Sequence, residues 1–345
     1  MKVQIHRVSA ALREPFQSSR GRVDRRDLLL LVLEDREGLA GLGEAAPLES
    51  YDGVTVDDAL AALEDCRGVL EAADGRDQGE LLAECERLAV LPQAVAAVDV
   101  ALWDLAGRRA GQPVWQLLGG PQPTPIEVNH TLSSTDRASA AAEARSATTA
   151  GYRCLKAKVA IGDDAGRLAA IRAASAKDTI LRVDANGGWT VAEAQAGLRA
   201  LGPVRLELCE EPVRGPDAVA RLAALTDVPL ALDETASIPG ALDRRLCTAA
   251  GLKLTRWGGI TGLLDAAQRA RAAGYELYLT STLDGPVGIA AALHVAAAIK
   301  PDRACGLATL GLFAGRPDVV PVQAGRMVVP EGPGLGDALR HWYGE

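Results

Sequence analysis

The chain has 345 residues and a formal net charge of -8. That length suits one or two domains with ample core, and the acidic balance argues against nucleic acid or an anionic membrane as partner. The first fifteen residues lack the apolar stretch of a signal peptide, and no apolar run is long enough to span a bilayer, so a cytoplasmic location is expected.

The N-terminal third reads as α+β. Strand-like segments cover residues 3–10, 27–33 and 38–44, the last two joined by the turn Asp35-Arg36-Glu37-Gly38. Residues 13–26 form a polar stretch containing Gly and Ser, expected as a loop and a lid. Helical patterns follow at residues 56–72, 78–91 and 91–110. Beyond residue 125 short apolar runs alternate with Ala-rich helical stretches. The runs are residues 126–132, 154–159, 180–185, 206–211, 229–233, 251–255, 276–282 and 304–310. Eight such runs separated by helices predict an α/β fold, a parallel (β/α) barrel whose strands are buried on both faces. A doubly wound open sheet is the alternative, weakened because no GxGxxG follows the first strand. The tail, from about residue 316, is rich in Pro and Gly and is expected to fold back on the N-terminal domain. The predicted division is 1–124, 125–315 and 316–345. The six cysteines are widely spread with no CxxC, so neither a zinc site nor a disulfide framework is expected.

Lysine is scarce: it supplies six of the 37 Lys and Arg residues. Yet Lys156, Lys158 and Lys253 stand inside apolar runs. Arginine cannot lose its proton in a protein, whereas a desolvated lysine can, so three buried lysines suggest proton transfer. The competing reading is that they snorkel or are ion-paired.

Consecutive runs end in charged or polar residues: Lys156 and Lys158, then Asp184 with Asn186, Glu210 and Glu211, Asp233 and Glu234, then Lys253, then Ser281 and Thr282. In a barrel these strand ends converge on one mouth. Asp184, Glu210 and Asp233 would meet there, and like charges packed together need a cation. All-oxygen ligation favours Mg2+, with Mn2+ able to substitute. Glu211 and Glu234, one residue on, would point to the other face of a regular strand. Lys158 and Lys253 would flank the metal. Two amines as close as those of Lys156 and Lys158 are expected to lower one pKa. The chemistry implied is removal of a proton alpha to a substrate carboxylate, a pairing of lysine base and Mg2+ that is the general pattern of enolase-type sites.

The strings LKAKVA, RVDANGGWT, ELCEEPV, LALDET, GLKLTRWGGI and YLTSTLDGPVG, in this order and at this spacing, resemble the muconate-lactonizing branch of the enolase superfamily. AAVDVALWDLAGRRAGQPVWQLLGG and GLGEAAPL extend the resemblance over nearly the whole chain. It implies a (β/α)7β TIM-like barrel with an α+β capping domain formed by the N-terminal third and the tail. It also implies Asp184, Glu210 and Asp233 as metal ligands, Lys158 as acid/base, Lys253 opposite it, and Lys156 tuning Lys158. Asn186 and Glu234 would orient ligands. A mandelate-racemase-type histidine base is not expected. His130 and His294 do not stand where that base does, and His6 and His341 lie outside the barrel, although His130 with Asn129 could line the mouth.

Within the branch, ACGLATLGLF is similar to the last strand of o-succinylbenzoate synthases, which dehydrate a succinyl-hydroxycyclohexadiene carboxylate in menaquinone synthesis. Dipeptide epimerases carry an Asp-x-Asp there, and this chain has no acid between Ala304 and Gly315. The resemblance therefore implies a synthase-like carbon–oxygen lyase, with Ser281, Gly288 and Gly306 leaving room for a succinyl carboxylate. Arg256, three residues after Lys253, resembles the N-succinylamino acid racemase line instead. Racemase, dipeptide epimerase and muconate-type cycloisomerase readings stay open, as does a non-catalytic barrel. A small-molecule carboxylate is the expected partner, and a homo-oligomer is compatible with the sequence.

Overall fold

The computed structural model describes residues 1–18 and 21–344. Three antiparallel strands, β1 (Lys2–Ser18), β2 (Gly21–Glu34) and β3 (Ala40–Ala45), form a sheet in the order β1-β2-β3. The expected turn joins β2 to β3: Asp35 Oδ1 accepts from the amides of Glu37 and Leu39, both at 3.0 Å. The helices Val56–Glu71, Gln78–Leu88 and Pro92–Ala110 follow.

The six-residue apolar run in β2 has a two-sided explanation. Leu29, Leu31 and Leu33 pack with the cap helices. Leu28, Leu30 and Val32, on the opposite face, join the core that runs into the barrel. A strand covered on both faces loses the alternation of a half-exposed one. The sheet is thus a layer between the cap helices and the barrel. β3 lies hard against helix Pro92–Ala110, where Gly41 and Gly43 leave no room for a Cβ: one at Gly43 would collide with Ala97 O.

The expected loop at residues 13–26 is instead a hairpin arm. β1 and β2 stay paired through Phe16↔Val23 to Ser18↔Gly21, with a register shift between Ala11 and Phe16. A ribbon that leaves the core is polar on most positions, so its composition reads as loop. The expected tip residues 19 and 20 lie outside the described residues.

The second sheet is the barrel. Its parallel strands are β5 (Asn129–Leu132), β6 (Cys154–Lys158), β7 (Ile180–Asp184), β8 (Leu208–Glu210), β9 (Leu230–Leu232), β10 (Ala249–Lys253) and β11 (Glu276–Thr280), neighbours in sequence order. The eighth run closes the ring through two parallel bridges, Val128↔Cys305 and Thr280↔Gly306, rather than as a full strand. The first run is split. Its start, β4 (Ile126–Glu127), pairs with β13 (Arg326–Met327), which pairs with β12 (Val322–Gln323). The tail then crosses the cap helix, where Leu335 N donates to Asp104 Oδ1 at 2.7 Å, and ends with Tyr343 bonded to Glu44 of β3. All six cysteines are buried and free. Among the described residues no helix is long and apolar enough to cross a membrane.

The tight approach of β3 gives a direct test. Gly43→Ala should destabilise the protein by about 1–3 kcal/mol through overpacking. Gly68→Ala, in a helix with open space around it, should stabilise it by up to about 1 kcal/mol. Chemical denaturation of the two variants beside the unaltered protein measures both signs.

Candidate active site

The in-register pairing of the barrel strands sets the site. Lys158 lies opposite Asp184, and Asp184 opposite Glu210. Asp233 follows the last residue of β9 and caps a short 3-10 turn, Glu234–Ser237. Carboxylate oxygens of Asp184, Glu210 and Asp233 lie within 4.8 Å of one another, all three residues buried. The donor set is all oxygen and the charge dense, which fits a hard divalent cation of the Mg2+ type.

The three lysines of the apolar runs are the partners of these acids. Lys156 Nζ stands 2.9 Å from Asp184 Oδ2 and 2.6 Å from Glu210 Oε1. Lys158 Nζ stands 2.6 Å from Asp184 Oδ2 and donates to Asn186 Oδ1 at 2.8 Å. Lys253 pairs with Asp233 Oδ1. Lys158 is on β6 and Lys253 on β10, with the three acid-bearing strands between them.

Lys156 does not have a lowered pKa despite the neighbouring amine of Lys158. Burial pulls the Lys156 amine down, but Asp184 and then Glu210 outweigh it and hold it above its ordinary value. Lys253 is held up in the same way, burial being overcome by Asp233. Asp184 stays ionised because Lys156 and Lys158 overcome its burial. Burial, joined by neighbouring carboxylates, pushes Glu210 and Asp233 up. A bound divalent cation would relieve that strain.

Several neighbours support the centre. Asn186, at φ 47°, donates its backbone amide to Asp184 Oδ1 at 2.9 Å and its side-chain amide to Glu234 Oε1 at 3.4 Å. Asn tolerates this left-handed backbone better than most residues. Glu211 turns out of β8 at φ 37°. Its carboxylate accepts from Asp233 N at 2.8 Å and from the Thr235 hydroxyl, so it fixes the loop that carries Asp233.

Two tyrosines were not foreseen. Tyr278 of β11 donates to Glu210 Oε2 at 2.7 Å. Gly251, two residues before Lys253 on the same inner face, makes room for it: a Cβ there would come within 2.9 Å of the ring. Tyr51 comes from the cap, in the short helix Glu49–Asp52. Its hydroxyl accepts from Lys253 Nζ at 2.8 Å and lies 3.2 Å from Asp233 Oδ1. The period of two in the run at 276–282 could have revealed Tyr278; nothing local in the sequence marks Tyr51.

Above the centre a pocket of ≈ 90 Å³ is lined by Phe16 and Val23 of the arm, Leu48 and Tyr51 of the cap, and Ser281 and Leu283 of the barrel. The Lys158 amine is 5.7 Å from the Phe16 ring centre. Substrate pockets are usually about 300–1,000 Å³, so this one is narrow as it stands. A larger cleft of ≈ 650 Å³ lies beside Cys154 and Ile180, at the opposite end of the strands, and is lined by none of the site lysines or acids.

Not every expected substrate contact lines the pocket. Ser281 and Gly306 do. Asn129 turns to Thr131, 3.2 Å away. Arg256 donates to Ser237 at 2.9 Å and packs behind the Tyr51 ring. Gly288 does leave space at a helix start, but the carboxylate that fills it is the chain's own Glu44, whose Oε1 accepts from Gly285 N at 2.8 Å. His130 contacts Glu143 at 3.2 Å. His294, which burial pushes down to about 4, accepts from Trp115 N at 3.1 Å.

Family models match both parts of the chain: "Mandelate racemase / muconate lactonizing enzyme, N-terminal domain" over residues 1–119, and "Enolase C-terminal domain-like" over residues 139–342. The chain belongs to the enolase superfamily. It is 29% identical to an N-succinyl-L-Arg/Lys racemase of Bacillus cereus, over 85% of this chain and 83% of that protein. It is 31% identical to an L-Ala-D/L-Glu epimerase of Clostridium acetobutylicum, over 86% of each. The solved dipeptide epimerase of Cytophaga hutchinsonii, complexed with Mg and D-Ala-L-Val, superposes with a TM-score of 0.91 at 27% identity, over 98% of this chain and 97% of that one. These superfamily relatives are racemases and epimerases, which match the alternative drawn from the sequence better than the o-succinylbenzoate synthase reading.

Two outcomes are expected. Asp233→Asn should weaken Mn2+ binding by at least about tenfold, a single lost charge-bearing ligand being worth over about 1.4 kcal/mol; calorimetric titration measures it. Burial, then Asp284, pushes Glu44 up to about 8. A carboxyl raised on folding contributes stability that is complete below its unfolded pKa and is lost as pH rises through the folded value. The protein should therefore lose stability between about pH 4.5 and 8. Glu44→Gln should flatten that slope, as read by denaturation at several pH values.

Proposed function

We propose that the protein is a racemase or epimerase that inverts the α-carbon of an N-acylated amino acid. The observation that carries this is the placement of Lys158 and Lys253 on either side of the carboxylate triad. Inversion needs one group to take a proton from one face of a carbon and another to return one to the opposite face. The racemases and epimerases among the relatives support the same class. Asp184, Glu210 and Asp233 would hold the divalent cation, which when bound offsets the charge that develops on the substrate carboxylate.

The chain's own residues do the rest. Lys158, aimed by Asn186, takes the α-proton. Lys253, kept charged by Asp233 and steadied by the Tyr51 hydroxyl, returns a proton to the other face. The two exchange roles in the reverse direction. Lys156 stays protonated between Asp184 and Glu210 and acts through its charge. The arm closes over the pocket and excludes water, which strengthens each of these interactions.

An N-acyl group such as succinyl suits the pocket better than the free ammonium of a dipeptide, since the segment from Ala304 to Gly315 offers no acid to pair with it. The position of Arg256 resembles the N-succinylamino acid racemase line. The same lack of an acid, together with ACGLATLGLF, favours a second reading, syn-dehydration to o-succinylbenzoate. There Lys158 alone would move the proton and Lys253 would only stabilise charge.

Incubation with either enantiomer of an N-succinylamino acid in D2O separates the two. Racemisation with deuterium at the α-carbon is expected from both enantiomers. Lys253→Arg should abolish inversion and leave α-exchange from one enantiomer only. Rapid dehydration of the cyclohexadiene substrate, with no α-exchange in any N-acyl amino acid or dipeptide, would overturn the racemase reading.

A further inference from the structure

The pocket wall at Ser281–Thr282–Leu283 leaves the end of β11 with a backbone that sequence does not favour. Leu283 stands at φ 58°, in the left-handed region that brings its Cβ too close to backbone oxygen. Such conformations persist only where the surroundings over-determine them. Here the determinants come from the cap. Arg26, at the base of the arm and 2% exposed, donates Nε to Leu283 O at 3.3 Å. The same guanidinium donates Nη2 to Ala46 O at 3.0 Å and Nη1 to Pro47 O. Two residues past Leu283, Gly285 N is held by Glu44, which Tyr343 also holds. Between them Asp284 Oδ1 accepts from Thr282 N at 3.2 Å.

One planar, five-donor group therefore ties together three parts of the pocket. It sits at the foot of the arm that supplies Phe16 and Val23. It holds the carbonyls just before Leu48. It holds the carbonyl of Leu283 itself. Lysine could not reproduce this fork, because an ammonium is a point donor on a flexible stem. We propose that Arg26 is a positioning residue. It holds Leu283 in its strained conformation and so fixes the distance between the cap wall and the barrel wall of the pocket. Arg26 touches neither the lysines nor the triad. Its effect should fall on substrate binding rather than on proton transfer.

The kinetic part of the test rests on the proposed racemase reading; the exchange part does not. Arg26→Met and Arg26→Lys are compared with the unaltered protein by hydrogen exchange, Mn2+ titration and steady-state racemisation of an N-succinylamino acid. Arg26→Met should speed exchange at Thr282, Leu283 and Gly285 at least about tenfold. Exchange within β7 and β10 should be unchanged, as should Mn2+ affinity. KM should rise about tenfold with kcat within about threefold, the pattern of lost uniform binding. Arg26→Lys keeps the buried charge, should show the same changes in smaller degree, and carries the test alone if the Met variant does not fold. Unchanged local exchange with unchanged KM, or a fall in kcat at constant KM, would overturn the proposal. Faster local exchange in a protein whose unaltered form racemises no N-acyl amino acid would support the positioning role and sink the racemase reading instead.

Discussion

Everything at the barrel mouth follows from three buried carboxylates placed within 4.8 Å of one another. Such a group is unstable unless charge of the opposite sign is supplied at equally short range. The chain supplies it by spending half of its six lysines there. Arginine would serve poorly, since its fork is wide and its charge permanent. An amine is compact and can give up its proton when the cation takes over the carboxylates. The same electrostatic demand that would recruit a cation also stations Lys158 and Lys253 beside the carboxylates. Under the proposed function, binding and catalysis would be set by one constraint.

That constraint is met by register, not by local sequence. Lys158, Asp184 and Glu210 lie side by side because the parallel strands align them. Asp233 and Lys253 enter from strands that end at slightly different heights. The supporting contacts then correct the height. Glu211 grips the loop behind Asp233, and Tyr278 holds the free oxygen of Glu210. Gly251 is part of this, because any side chain there would push Tyr278 off its acceptor.

The barrel and its charged rim were legible because both leave periodic marks. Buried parallel strands appear as short apolar runs, and each run ends where its polar residue faces the mouth. The cap left weaker marks. Residues 13–26 looked like a loop because a two-stranded ribbon beyond the core is exposed on most positions; Phe16 and Val23, which face each other and are half-buried, and Arg26 at its base turn inward. The run at 126–132 gave no sign that its first residues would leave the barrel for the tail. Glu44 shows the limit most clearly. Gly288 reads, with Ser281 and Gly306, as room for a carboxylate of the substrate, but the space beside it is taken by the chain's own Glu44. Which carboxylate fills it depends on a strand 241 residues away in sequence, and no local pattern carries that. The raised pKa of Lys156 has a similarly non-local origin. Two adjacent amines repel, but Lys156 is ion-paired by acids on two further strands.

The charged centre and the pocket wall thus sit on different kinds of scaffold. The acids and lysines project from barrel strands or the turns just past them, locked by hydrogen bonds on every side. The pocket wall is assembled from the arm, the cap loop near Leu48 and the strained turn at Leu283, joined by the guanidinium of Arg26. Outside the charged centre, its described lining is apolar side chains and hydroxyls. Neutral contacts of that kind can be exchanged without disturbing a charge balance, whereas any change among the acids and lysines leaves an uncompensated buried charge. Under the proposed function, substrate preference would be free to drift through the cap and the turn at Leu283, while the electrostatics of the centre would hold the proton chemistry constant.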